Sequence, residues 1–130
     1  MDCVTFHVNG EPVTVRDVSP TTTLLQYLRG PMAMPGTKEG CAEGDCGACT
    51  VVVLDADAPG GPRWRGVNSC LLLVPLLHGK HVFTVEGLRG DGVHPVQEAL
   101  VQKLGSQCGY CTPGIIMSMF EACYRTDLDA

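Results

Sequence analysis

Eight cysteines stand in this 130-residue chain, and four of them have the spacing of a ligand set. Cys41, Cys46 and Cys49 lie at C-x4-C-x2-C within one glycine-rich stretch, and Cys70 follows at a distance. Three thiolates from one short segment and a fourth from elsewhere is an arrangement that holds a 2Fe–2S core, whose chemistry is one-electron transfer. Such a loop must turn sharply and bring its backbone close to the core. Gly40, Gly44 and Gly47 interleave with the cysteines and are expected to supply positive φ where other residues would clash. Successive N–H groups can then point at sulfur, and those bonds, with exclusion of water, set the reduction potential. The carboxylates of Glu43 and Asp45 are expected to lower that potential, because they disfavour the more negative reduced state.

Two other readings of the cysteines are weaker. A disulfide framework needs an oxidising compartment. The start, Met1-Asp2-Cys3-Val4, has neither the basic flank nor the apolar core of a secretory signal, so the expected location is the cytoplasm. A zinc ribbon would use two C-x2-C pairs, and Cys46/Cys49 with Cys108/Cys111 fit on spacing alone. Zinc leaves Cys41, its glycines and Cys70 unexplained.

Cys108-Gly109-Tyr110-Cys111 is a second pair, expected at the N-terminus of a helix, where thiolate is favoured over thiol. A thioredoxin-like pair needs a βαβ setting and more chain than the nineteen residues after Cys111. The pair reads instead as half of a second metal site. Cys123 lies twelve residues further along the helix, about 18 Å away at 1.5 Å per residue, out of reach of one cluster. It is expected to be a small core residue. The missing ligands lie beyond Ala130 or on another chain, or are absent.

The elements that must position these groups follow from periodicity. Val4, Phe6 and Val8 alternate with Cys3, Thr5 and His7 in a half-buried strand, and Asn9-Gly10 signals a hairpin turn. Cys3 and His7 read as plain strand positions rather than ligands. A second strand over Pro12 to Val18 points Val13 and Val15 inward. Thr23 caps a short helix through Leu24, Leu25, Tyr27 and Leu28, which Gly30 stops. Pro31 and Pro35 bracket the approach to the cysteine loop. Thr50 to Leu54 is a buried strand, 55–62 an exposed turn, and Arg63 to Asn68 a returning strand. Cys70 to Leu77 is an apolar run, read as a buried helix or a partner surface. His81 to Val85 is a last strand.

From Gly87 the character changes. Gly87, Gly90 and Gly92 make a linker. Pro95 opens a helix with apolar positions Val96, Ala99, Leu100 and Leu104. A second helix begins after Thr112 with Pro113 first, and carries Ile115, Ile116, Met117, Met119, Phe120, Ala122 and Tyr124.

Composition excludes some functions. Net charge is −5 with only nine Lys and Arg, and aromatics are 5%, so nucleic-acid binding has little support. No apolar run is long enough to span a bilayer.

At the level of whole motifs, Gly36-Thr37-Lys38-Glu39-Gly40-Cys41-Ala42-Glu43-Gly44-Asp45-Cys46-Gly47-Ala48-Cys49-Thr50-Val51 resembles the first cluster loop of xanthine dehydrogenases, members of the molybdenum hydroxylase family. Asn68-Ser69-Cys70-Leu71 is similar to the segment holding its fourth ligand. His94-Pro95-Val96-Gln97 is similar to the start of the family's helical domain, and 105–114 to its second cluster motif. The resemblance implies an α+β chain: a β-grasp, ferredoxin-like 2Fe–2S domain over 1–86, then a helical-bundle 2Fe–2S domain over 87–130. It assigns Cys41, Cys46, Cys49 and Cys70 to the first cluster and Cys108 and Cys111 to the second, and it puts Gln107 near a molybdopterin held by a partner. Two further ligands come in the family from a later C-x-C, which this sequence does not reach; a truncated or split chain is the expected reason.

The implied role is electron transfer. A purine would be hydroxylated at molybdenum elsewhere, and electrons would pass through both clusters to FAD and then NAD. No catalytic residue is expected on this chain. The implied partners are a molybdopterin-binding large subunit and an FAD domain or subunit, in a hetero-oligomer that is possibly a dimer of heteromers. Aldehyde, nicotinate or carbon monoxide hydroxylases and a free 2Fe–2S carrier are the alternatives, with Lys38-Glu39-Gly40-Cys41 and Glu43-Gly44-Asp45 favouring the purine enzyme.

Overall fold

The computed structural model describes residues 3–88 and 92–124. Gly90 of the expected linker lies outside them. Five strands form one mixed sheet: β1 (Cys3–Val8), β2 (Glu11–Arg16), β3 (Thr50–Asp55), β4 (Arg63–Asn68) and β5 (His81–Phe83), in the order β2-β1-β5-β3-β4. β1 and β5 run parallel at its centre, and the other pairings are antiparallel. With the helix α1 (Leu24–Arg29) on one face, this is the expected β-grasp.

Alternation in β1 sorts its side chains as the sequence suggests. Val4, Phe6 and Val8 are buried and pack with Val15, Leu24, Leu28, Val51, Val53 and Val82 in the main core. Burial of a side chain the size of Phe6 contributes about 1.5–3 kcal/mol. Asn9 and Gly10 form the tight turn, with φ of 52° and 85°, the pair of left-handed residues that a two-residue hairpin requires. The Thr23 hydroxyl accepts from the Gln26 N–H, and the Gln26 side chain accepts from the Thr23 N–H, completing a capping box on α1.

The second core lies on the opposite face of the sheet. Helices α2 (Pro95–Gln102) and α3 (Thr112–Tyr124) follow the sheet in the chain. Val52, on the inner strand β3, packs with Leu88, Val96, Ile116, Met117 and Phe120. Trp64, Phe83, Phe120 and Tyr124 form an aromatic cluster there, with Trp64 stacked on Tyr124 at 4.9 Å between centroids. The sheet is thus a middle layer between α1 and α3, and β3 is buried on both sides.

Several local expectations are corrected. The run from Cys70 to Leu77 is not one buried helix: a turn leads to a 3-10 helix over Val74–Leu77, with Pro75 in its first turn and Leu71 and Leu76 exposed. The last strand stops at Phe83, because Val85–Leu88 tightens into a 3-10 turn that buries Leu88. Gly87, which is exposed, and the buried Leu88 therefore lie within this turn. In α2 only Val96 is buried; Ala99 is exposed, and Leu104, beyond the helix end, is 87% exposed with φ of 54°. On α3, Ile115, Met119 and Ala122 are exposed, while Tyr124, exposed on one side, lies against Trp64 and Phe120. Among the described residues no helix is long and apolar enough to cross a membrane.

Candidate metal centre

The cysteine loop hangs between α1 and β3 and is held at both ends. Arg29, in the last turn of α1, donates from Nη1 to the Pro35 and Thr37 carbonyls at 2.9 and 2.8 Å. The Glu86 carboxylate accepts from the Gly36 N–H at 2.6 Å. The Lys38 N–H donates to the Ala48 carbonyl at 3.2 Å and closes the loop.

Within the loop the glycines act in two ways. Gly44 and Gly47 have φ of 82° and 75°, as expected. Gly40 does not; it is required for space, since a β-carbon there would lie 2.6 Å from Cys46 Sγ. The third left-handed residue of the loop is Ala42, at φ 57°.

This path turns backbone N–H groups onto sulfur. Cys41 Sγ accepts from the amides of Asp45 and Cys46 at 3.2 Å and of Glu43 at 3.4 Å. Cys46 Sγ accepts from the amides of Cys41 and Ala48, both at 3.4 Å. The amides of Glu43, Cys46 and Asp45, in that order, bring the Cys41 thiol down to about 7. The Glu43 and Asp45 side chains are exposed while their amides face the sulfur.

Cys49 and Cys70 sit deeper, buried with Leu25. Burial pushes the Cys70 thiol up, and a hydrogen bond shared with Cys49 adds to this; the Gly44 amide works against it. Two adjacent residues hold this pair. Ser69 Oγ and N–H both donate to the Cys49 carbonyl, at 2.7 and 3.3 Å. Asn68 Nδ2 donates to the Gly44 carbonyl at 3.2 Å, and its Oδ1 lies 3.9 Å from Cys49 Sγ. Asn68 and Ser69 are positioning residues whose only signal in the sequence is their place beside Cys70.

The four thiols come together as two neighbouring pairs, Cys41 with Cys46 and Cys49 with Cys70. Among the described residues no three His, Cys, Asp or Glu side chains converge tightly enough for a single metal ion. A two-iron core with four thiolate ligands suits this arrangement: soft donors in pairs, N–H groups aimed at sulfur, and a missing β-carbon at Gly40.

The second pair is placed differently. Cys108 and Cys111 are exposed, in a loop that Gly109 turns at φ 88°, just before α3. Gln107 beside them is also exposed. Tyr110, between the two cysteines, donates its hydroxyl to the Glu39 carbonyl. Cys123 is exposed on α3, which corrects its reading as a core residue: the core face of that helix is Gly114, Ile116, Met117 and Phe120. Cys3 is half-buried on β1, and His7 stacks on His81 at 4.5 Å between centroids.

Comparison with known proteins bears on the whole chain. The 2Fe-2S iron-sulfur cluster binding domain matches residues 6–74, and a second family, the [2Fe-2S] binding domain, matches 84–129. Xanthine dehydrogenase of Drosophila pseudoobscura pseudoobscura is 52% identical over 118 residues, 88% of this chain and 9% of that protein. Aldehyde oxidase 2 of Cavia porcellus is 48% identical over 122 residues, 92% of this chain and 9% of that protein. The chain thus spans about a tenth of the length of these curated relatives. Among solved structures, a chain of quinoline 2-oxidoreductase from Pseudomonas putida 86 superposes with a TM-score of 0.77 at 31% identity, over 92% of this chain and 68% of that one.

Proposed function

Since the chain belongs to the iron–sulfur part of the xanthine dehydrogenase (molybdenum hydroxylase) family, we propose that it is the electron-transfer segment or subunit of such an oxidoreductase. The observation that carries this reading is the set of five backbone N–H groups aimed at Cys41 and Cys46 Sγ. When bound, a 2Fe–2S cluster supplies one-electron redox change at iron.

In this reading residues 1–86 form the first 2Fe–2S domain. Cys41, Cys46, Cys49 and Cys70 would hold the cluster, supported by the neighbouring of Cys41 with Cys46 and of Cys49 with Cys70. The loop amides stabilise negative charge on sulfur and so raise the potential. The burial of Cys49 and Cys70 keeps water from their side of the site. Residues 87–130 belong to the second domain. Cys108 and Cys111 offer two ligands to a second cluster, the remaining two coming from outside this sequence, and Gln107 approaches molybdopterin on a partner. The exposure of 106–108 leaves that surface open to such a partner.

The complete assembly contains a molybdopterin-binding part and an FAD-binding part, as a hetero-oligomer or a longer chain, and works in the cytoplasm. It hydroxylates a purine and passes the electrons to FAD and NAD. The recurrence of xanthine dehydrogenases among the relatives supports the purine. The equally good match of an aldehyde oxidase supports an aldehyde as the second reading.

The test is metal analysis followed by turnover of the complete gene product. Iron and acid-labile sulfide in equal amounts, with a brown colour that dithionite bleaches, are expected. Protein that stays colourless and iron-free after anaerobic reconstitution would overturn the electron-transfer role. Turnover of an aldehyde but not of xanthine would overturn the purine reading alone.

A further inference from the structure

We propose that Tyr110 is a positioning residue: its hydroxyl ties the Cys108/Cys111 loop to the Cys41–Cys49 loop and sets the direction of an N–H···S bond in the latter. This rests on the electron-transfer reading given above.

Two contacts between residues 108–114 and the first cysteine loop bear on this. One is backbone on backbone. At the start of α3, Gly114 lies against the Gly47 carbonyl and the Ala48 Cα. That carbonyl also accepts from Thr50, from N–H at 3.1 Å and Oγ1 at 2.7 Å. This contact anchors α3 on residues 47 and 48; the backbone on either side of Glu39 and Gly40 is held by the Lys38 N–H to Ala48 carbonyl bond and by the Cys41 N–H to Cys46 Sγ bond. The other contact is the bond from Tyr110 to the Glu39 carbonyl, between residues 71 apart in sequence.

The Tyr110 side chain is 49% exposed, so its ring gains only part of the burial that normally keeps an aromatic in place. Its distinguishing group is the hydroxyl, and the hydroxyl is engaged. The loop that carries it is braced by the left-handed Gly109 and by a 2.8 Å bond between the Ser106 and Thr112 hydroxyls, so the ring is presented from a defined base.

The consequence runs along the backbone. Restraining the Glu39 carbonyl restrains Gly40, which lacks a β-carbon and has wide conformational freedom. The next amide, Cys41 N–H, donates to Cys46 Sγ at 3.4 Å. Tyr110 therefore holds, one peptide unit away, a donor to a sulfur of the first site. N–H donors to ligand sulfur stabilise the reduced state. Loss of the hydroxyl shifts the first centre's potential to a more negative value.

The experiment compares wild type, Tyr110→Phe and a control, Tyr124→Phe, in the complete gene product. The expected result is a negative shift of one cluster's midpoint potential in Tyr110→Phe at wild-type iron content, with no shift in Tyr124→Phe. Amide hydrogen exchange on the apo proteins is the second measurement, and it stands even where a variant does not load iron. Faster exchange across 39–41 in Tyr110→Phe supports the tie. Potentials and exchange both equal to wild type would overturn it. Wild-type protein that never takes up iron would instead refute the electron-transfer reading and leave exchange to decide the tie.

Discussion

Gly114 rests directly on the Gly47 carbonyl: a β-carbon on Gly114 would stand 2.1 Å from that oxygen and 3.2 Å from the Ala48 Cα. Both obstacles are backbone, so no side chain can rotate away. Glycine is needed here for clearance, because residue 114 lies in the first turn of α3 and not in a left-handed conformation. Gly114→Ala is expected to lift α3 off the cysteine loop at a cost of about 1–3 kcal/mol, the range for overpacking. Urea denaturation followed by the fluorescence of Trp64, which sits against α3, reads it. An unchanged midpoint would contradict the close packing.

Asn9 bonds Thr84 twice. Its Oδ1 accepts from the Thr84 N–H and its Nδ2 donates to Thr84 Oγ1, both at 2.9 Å, and Thr84 is fully buried. Removing the amide strands a buried N–H, which costs about 1–3 kcal/mol. Asn9→Gly keeps the left-handed turn but loses both bonds, so it isolates this effect from the φ of 52° at that position. A stability loss in Asn9→Gly is expected; stability equal to wild type would mean that the bonds contribute nothing net.

Thr37, just before the cysteine loop, has a buried hydroxyl with no hydrogen-bond partner among the described residues. Its carbonyl is satisfied by Arg29. An unpartnered buried hydroxyl costs free energy that a methyl group does not. Thr37→Val is therefore expected to leave stability unchanged or to raise it by about 1 kcal/mol. A lower denaturation midpoint would show that the hydroxyl has a partner in solution.

Cys41, brought down to about 7 by the loop amides, is expected to be the most readily alkylated thiol of the iron-free protein at neutral pH. The depressed value means that the thiolate persists as pH falls toward 7 and is lost below it. The fold's preference for this thiolate is present above the ordinary thiol range and fades as pH drops through about 7. Iodoacetamide labelling with peptide mass mapping at several pH values reads the rate. Cys70, pushed up by burial, is expected to react last, and labelling that begins at Cys70 would reject the assignment.

Much of this molecule was legible before its shape was known. The alternation of Val4, Phe6 and Val8, the Asn9-Gly10 turn and the Thr23 cap are local signals, and local physics decided them. The cysteine spacing likewise needs no fold to be recognised, since one short segment delivers three thiols. Two failures had a common cause. Val85 is apolar and follows a strand, but the buried Thr84 and its bonds to Asn9, 75 residues away, end the ladder there. Cys123 and Ala122 are small and apolar enough for a core, but the sheet meets α3 along Gly114, Ile116, Met117 and Phe120 and turns those two outward.

Residue type and spacing by themselves determined that closely spaced thiols, a β-rich first half and a helical second half exist in this chain. Only the tertiary structure decided which sulfurs are neighbours, that Gly40 is there for clearance, and that α3 and Tyr110 are fastened to the first cysteine loop. The physical reason is range: propensity and pattern act over a few residues, whereas the bond from Tyr110 to Glu39 joins positions that only the folded sheet brings together.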